Sequence, residues 1–145
     1  MTKKEDKPYI VADGGEFSAE DFQRTKYERV YVYIAGPYSV GDLGENTHNA
    51  IHLMLQLVDM GMYPFCPHAS AVVANIVSPR GYKTWMPYDL GWLAKCDVLL
   101  RLPGESPGAD VEVYEAGRLR IPVIHLRGGE DDRELVSLLE EALGG

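Results

Sequence analysis

Cysteine, positive charge and long apolar runs are all scarce in this 145-residue chain, and each scarcity excludes something. The two cysteines, Cys66 and Cys96, stand thirty positions apart and fit no Cys-x-x-Cys spacing, so neither a redox motif nor a cysteine metal site is expected. Both lie in apolar surroundings and are expected to be buried free thiols of a reducing compartment. Fourteen Lys and Arg stand against 22 Asp and Glu, giving a net charge of −8. That balance argues against nucleic acid or an acidic membrane as a partner, because a basic surface supplies most of the affinity for either. No apolar run approaches the roughly 20 residues of a membrane span. Lys3, Lys4 and Lys7 lead into acidic, polar sequence rather than an apolar stretch, so no signal peptide is expected and the protein should be soluble and cytoplasmic. Internal repeats and low-complexity segments are missing too.

What is present is ordinary for a globular domain: 46% hydrophobic and 25% charged residues. A polar arm over residues 1–29, with one short helix capped by Ser18, precedes a single domain over 30–145. Val30 to Ala35 is a β-rich run ending at Gly36-Pro37. A helix is expected from Asn46 to Met60, closed by Gly61, then a strand over Met62 to Cys66 that Pro64 pushes toward a sheet edge. Helices over Ala69–Val77 and Met86–Lys95 follow, the latter with Pro87 in its first turn. The strand Asp97–Leu102, a loop at Ser106, a helix around Glu112, the strand Ile121–Leu126 and an amphipathic final helix complete the order. Strands alternating with helices predict an α/β fold, a parallel sheet of four to five strands covered on both faces. Ligands of such sheets bind beyond the carboxyl ends of the strands, where Gly36 to Ser39, His68 and Ser106 to Glu112 would gather.

Glu112 stands out because it is a carboxylate where a helix should be apolar. At about 100° per residue, Ala109, Val113, Ala116 and Leu119 share one arc with Glu112, while Asp110, Glu115 and Arg118 fall outside it. Asp89 repeats the pattern, sharing an arc with Trp85, Trp92, Leu93 and Cys96. Desolvating a carboxylate is costly, so each needs a partner or a task. Two inward carboxylates on two helices suit glycosidic chemistry, one attacking or steadying the anomeric carbon and the other handling the leaving group's proton. The plainer alternative is that each caps a neighbouring helix or pairs with a buried arginine.

Other side chains extend the candidate site. Tyr33 ends the first strand, where its hydroxyl can reach a carboxylate, although packing alone would also explain it. Ser106 and Gly108 can present a hydroxyl and backbone N–H groups to a phosphate at a helix start. His68 follows a strand and can touch a ligand, but nothing around it forms a metal triad. Tyr38 and Trp85 are candidate stacking surfaces for a base, whereas Trp92 is assigned to core packing.

Taken together these segments resemble the nucleoside 2-deoxyribosyltransferase superfamily over about residues 30–126, and most of all its 2′-deoxynucleoside 5′-monophosphate N-glycosidase branch. The resemblance rests on Tyr33-Ile34-Ala35-Gly36, on Asp89-Leu90-Gly91-Trp92-Leu93 running into Cys96-Asp97-Val98, and on Ser106-Pro107-Gly108-Ala109-Asp110-Val111-Glu112 with Ala116-Gly117 behind it. It implies a Rossmann-like, flavodoxin-type three-layer fold and a retaining mechanism through a covalent glycosyl-enzyme. By that resemblance Glu112 attacks C1′, Asp89 assists the departing base and Tyr33 orients Glu112. Six residues before the nucleophile the transferases tend to carry an acid and the monophosphate N-glycosidases a serine, here Ser106. One departure stands against the branch: Pro37-Tyr38-Ser39 occupies a loop where those N-glycosidases have a basic residue, so Arg80, Lys83 or a neighbouring subunit would have to replace it.

The expected function is therefore hydrolysis of the base–sugar bond of a nucleoside 5′-monophosphate, with Gly36, Tyr38, Ser39, His68, Trp85, Ser106 and Gly108 around the substrate. Base exchange by a nucleoside 2-deoxyribosyltransferase and a non-catalytic nucleotide sensor are the alternatives. The chemistry calls for no metal and no organic cofactor, and the resemblance implies a homo-oligomer, a dimer or larger. The sugar is expected to be a 2′-deoxyribose.

Overall fold

The structure, a computed structural model, describes residues 9–10, 16–17 and 29–144. A short antiparallel pair, β1 (Tyr9–Ile10) and β2 (Glu16–Phe17), lies within the stretch assigned to the polar arm. The helix expected behind Ser18 lies outside the described residues.

The main unit alternates strand and helix: β3 (Tyr31–Ala35), α1 (Leu43–Asp59), β4 (Tyr63–Phe65), α2 (Pro67–Val77), α3 (Tyr82–Leu93), β5 (Val98–Arg101), α4 (Pro107–Arg118), β6 (Val123–His125) and α5 (Asp132–Ala142). Its four strands pair in parallel in the order β4-β3-β5-β6. The chain leaves β3 in one direction for β4, then returns across it to β5. This is the flavodoxin-type order, with its switch point between β3 and β5. β5 is buried along its whole length, as a central parallel strand covered on both faces must be. Pro64 sits in the edge strand β4, where its missing N–H costs least.

Alternation along each strand divides the core in two. Val32, Ile34, Val98, Leu100 and Ile124 face one side and pack against Ala50, Leu53 and Leu57 of α1 and Leu135 and Leu139 of α5. Tyr33, Ala35 and Leu99 face the other and meet Leu93 of α3 and Ala109 and Ala116 of α4. Helices cover both faces, so the architecture is a three-layer α/β sandwich.

Helix starts differ from the sequence expectation for local reasons. α1 begins at Leu43 rather than Asn46, because the Asp42 side chain accepts the Glu45 N–H at 2.9 Å and so includes Gly44 in the first turn. α3 begins at Tyr82, four residues before the expected Met86, so Pro87 lies inside the helix and not in its first turn. Pro87 cannot donate to the Lys83 carbonyl, but both residues are exposed, so the unmade bond lies at the solvent side of the helix. Among the described residues no helix is long and apolar enough to cross a membrane.

Candidate active site

Two loops meet where β3 and β5 end, and two glycines allow the approach. A Cβ on Gly36 would stand 2.9 Å from the Leu102 Cβ, and one on Gly104 would stand 2.8 Å from the Pro37 ring. Gly104 also holds φ at +113°, which an L side chain rarely adopts. His68, buried at the start of α2, fastens the same junction: its Nε2–H donates to the Pro37 carbonyl at 2.7 Å, and its ring meets Tyr38 edge-on at 5.6 Å. A carbonyl only accepts, so the contact places the proton on Nε2. Burial lowers the His68 pKa and keeps the ring neutral.

Ser106 begins α4. Its buried Oγ accepts the Ala109 N–H at 3.0 Å and its hydroxyl is directed at the Gly36 carbonyl at 3.4 Å. The N-cap therefore ties the helix to the loop after β3. One and a half turns further on, Glu112 is buried between Ala109 and Ala116 on the sheet-facing side of α4. The hydroxyl of Tyr33, fully buried in β3, donates to Glu112 Oε2. Asp89, on α3, is also buried, with Oδ1 unpaired.

A cavity of about 540 Å³ opens at this edge of the sheet. Gly36, Tyr38 and Ser39 line it from the loop after β3, and His68 from α2. Trp85 and Asp89 enter from α3, and Ser106, Gly108 and Glu112 from α4. Tyr33 reaches the cavity only through Glu112. Trp92 is the exception among the aromatic expectations: it is 49% exposed and stacks on Phe65 at 5.6 Å, outside the cavity. The wheel placed it beside Leu93, yet at its level the helix has reached the edge strand and Phe65 is the last layer.

Three lining residues played little part in the sequence argument: Asn75, Arg80 and Tyr82, from the end of α2 and the turn into α3. Arg101, the last residue of β5, was missed altogether. Its buried guanidinium donates to the Leu102 carbonyl and pairs with Asp110 at 3.1 Å, on the same face of the sheet as Tyr33. A lone arginine ending an apolar strand, and a lone asparagine among Val72, Val73, Ile76 and Val77, were the available signals.

The domain of unknown function DUF7768 matches residues 30–126, two thirds of the chain and every residue of this site. The chain belongs to the DUF7768 family. No curated protein matches it. Among solved structures, a 2-deoxyribosyltransferase from Bacillus psychrosaccharolyticus, described as a biocatalyst for synthesis of antiviral and antitumoral nucleosides, is similar at 16% identity. The likeness covers 79% of this chain and 82% of that one, with a TM-score of 0.49.

Electrostatics set this DUF7768 cavity apart from ordinary core. Burial pushes the Glu112 carboxyl up to about 7; the Tyr33 hydrogen bond opposes the shift, the Asp89 carboxylate adds to it, and the Arg101 cation opposes it. Burial pushes Asp89 up to about 6. Tyr33 is held far above the ordinary phenol value, first by burial and then by the Glu112 charge, so it remains a hydrogen-bond donor at every physiological pH. Two carboxyl groups thus titrate near neutrality inside one cavity, a combination suited to nucleophilic and acid–base work. Among the described residues no three His, Cys, Asp or Glu side chains group as metal ligands.

Proposed function

We propose that this protein cleaves the N-glycosidic bond of a nucleoside 5′-monophosphate, most readily a 2′-deoxy one, through a covalent intermediate on Glu112. The observation that carries the proposal is the buried Tyr33–Glu112 hydrogen bond with a second raised carboxyl, Asp89, lining the same cavity. Glu112, ionised and steered by Tyr33, attacks C1′ as the C1′–N bond breaks, and Asp89 gives its proton to the departing base. Asp89, now a carboxylate, takes a proton from water, which attacks C1′ and releases Glu112. The α4 N-terminus, with the Gly108 N–H nearby, is suited to the phosphate.

A second reading has its own support. The Ser106 hydroxyl already serves as the α4 cap and contacts Gly36, and no cation stands in the loop after β3. Both facts lessen the case for a phosphate and favour an unphosphorylated nucleoside, whose sugar is passed to a second base. Incubation with nucleosides and their 5′-monophosphates, with and without an acceptor base, separates the two. Free base formed from a monophosphate without acceptor supports the hydrolase; exchange only, and only with nucleosides, transfers the assignment to the transferase. Mass spectrometry of the quenched enzyme should find a pentosyl adduct on the peptide holding Glu112, and an adduct elsewhere would overturn the mechanism.

A further inference from the structure

We propose that the cavity selects an oxo-base, one that turns a carbonyl oxygen toward the turn between α2 and α3, over the corresponding amino-base; the proposal rests on the glycosidic reading of this site. Asp89, which that reading gives the leaving group's proton, stands four residues after Trp85 on α3 and hence on the same face of the helix. A base departing toward Asp89 lies along that face and meets the turn that precedes it.

Each side-chain or backbone acceptor in the hydrogen bonds of this turn already takes at least one bond, while the side-chain donors of Asn75 and part of Arg80 remain unspent. Asn75 Oδ1 receives two bonds, from the Arg80 backbone N–H at 2.9 Å and the Trp85 Nε1–H at 3.2 Å. Two converging donors fix the amide, because the flipped form would set N–H against N–H. Asn75 Nδ2, with its two hydrogens, is what remains for a ligand. The nearby acceptors are occupied as well: Ser78 O takes Arg80 Nη1 at 3.2 Å and Arg80 O takes Trp85 Nε1 at 3.1 Å. The rest of the Arg80 guanidinium adds further donors, and Arg80 is the one formal cation among the described lining residues. A carbonyl oxygen placed there gains a charge-assisted hydrogen bond. An exocyclic amino group in its place would confront donors and forgo those hydrogen bonds.

The test pairs substrates that exchange this group, together with the proton on the adjacent ring nitrogen: deoxyinosine against deoxyadenosine monophosphate, and deoxyuridine against deoxycytidine monophosphate. Wild type should favour the oxo member of each pair in kcat/KM by about tenfold or more, the factor that ~1.4 kcal/mol supplies. Asn75→Asp keeps the oxygen that organises the turn but replaces the donor by an acceptor, and should erase or invert the preference; Arg80→Ala should reduce it. Equal or reversed preference in wild type, or a ratio unmoved by both substitutions, overturns the proposal. Binding of hypoxanthine, adenine, uracil and cytosine as free bases, measured by calorimetry, needs no turnover. Silence both with and without an acceptor base, together with tighter binding of hypoxanthine and uracil, would overturn the glycosidic reading and sustain the base preference. Equal binding of all four, or binding of none, would overturn the base preference itself.

Discussion

The two faces of the sheet are built from alternate residues of the same strands, yet they have diverged in kind. On the α1 and α5 side, fourteen buried apolar residues form one continuous cluster, and the buried charge beside it, Glu130, is spent on the Arg127 and Gly128 backbone N–H groups of the loop before α5. On the α3 and α4 side the apolar cluster has six, Tyr33 among them, and Asp89, Arg101 and Glu112 occupy the space toward the strand ends. A buried methylene there would have stabilised the fold; a carboxyl raised toward neutrality costs stability and gains reactivity. The contrast assigns the holding together of the domain to one face and its chemistry to the other, and substitutions should separate accordingly.

The sharpest break is Glu112→Gln. It preserves shape and the hydrogen bond from Tyr33 while removing the attacking charge, so turnover should fall by several orders of magnitude with substrate binding retained. The same variant should be more stable than wild type in alkaline solution. A carboxyl raised from 4.5 to about 7 binds more protons folded than unfolded, so wild-type stability falls as pH rises through that interval, by on the order of 3 kcal/mol in total. Thermal melts at pH 4.5 and pH 8 check the sign; near-normal turnover in the folded variant would remove Glu112 from the mechanism.

Asp89→Asn comes next, with a loss of about 10²–10⁴ for ordinary bases that a better leaving group should largely restore. Equal slowing of all substrates would make Asp89 a holder of the sugar or of the fold. On the opposite face, Leu57→Ala should cost about 2–5 kcal/mol in chemical unfolding yet leave kcat per folded molecule unchanged. A kcat loss there would erase the division between the faces.

The smallest effect sharpens the comparison most. Glu112 must be ionised and Asp89 protonated, although their values of about 7 and about 6 favour the opposite placement of a shared proton. The active form is therefore a minor one, most populated between the two values, and kcat/KM should trace a bell with its maximum between about pH 6 and 7. Tyr33→Phe removes a bond that lowers the Glu112 value, the higher of the two, so the alkaline limb should move to higher pH; an unmoved limb would leave Tyr33 as packing only.

Much of this division was legible before the fold was known, because it follows from local periodicity. Helical phase put Glu112 and Asp89 on apolar arcs, and both are buried. Alternation and chain order were enough for a parallel sheet covered on both sides, and the strand order adds the switch point at which Gly36 and Ser106 meet. What stayed hidden depends on contacts that helical or strand periodicity does not register. Pro87 appeared to mark the first turn of α3, since nothing local shows that its helix starts at Tyr82. Arg101 looked like a strand end until Asp110 closed on it. Asn75, Arg80 and Trp85 form one hydrogen-bonded unit only because the turn between α2 and α3 brings them together. The Ser106 hydroxyl, offered to a phosphate on sequence grounds, is engaged by the backbone it caps.

Both tryptophans of the chain are on α3, seven residues apart, and their surroundings differ. Trp85 lines the cavity with its indole N–H engaged, while Trp92 lies outside over Phe65. The protein thus contains its own optical reporter. With Trp92→Phe, the remaining indole emits from the ligand's side of the helix, and quenching during a titration measures occupancy of the cavity without label, turnover or coupled assay.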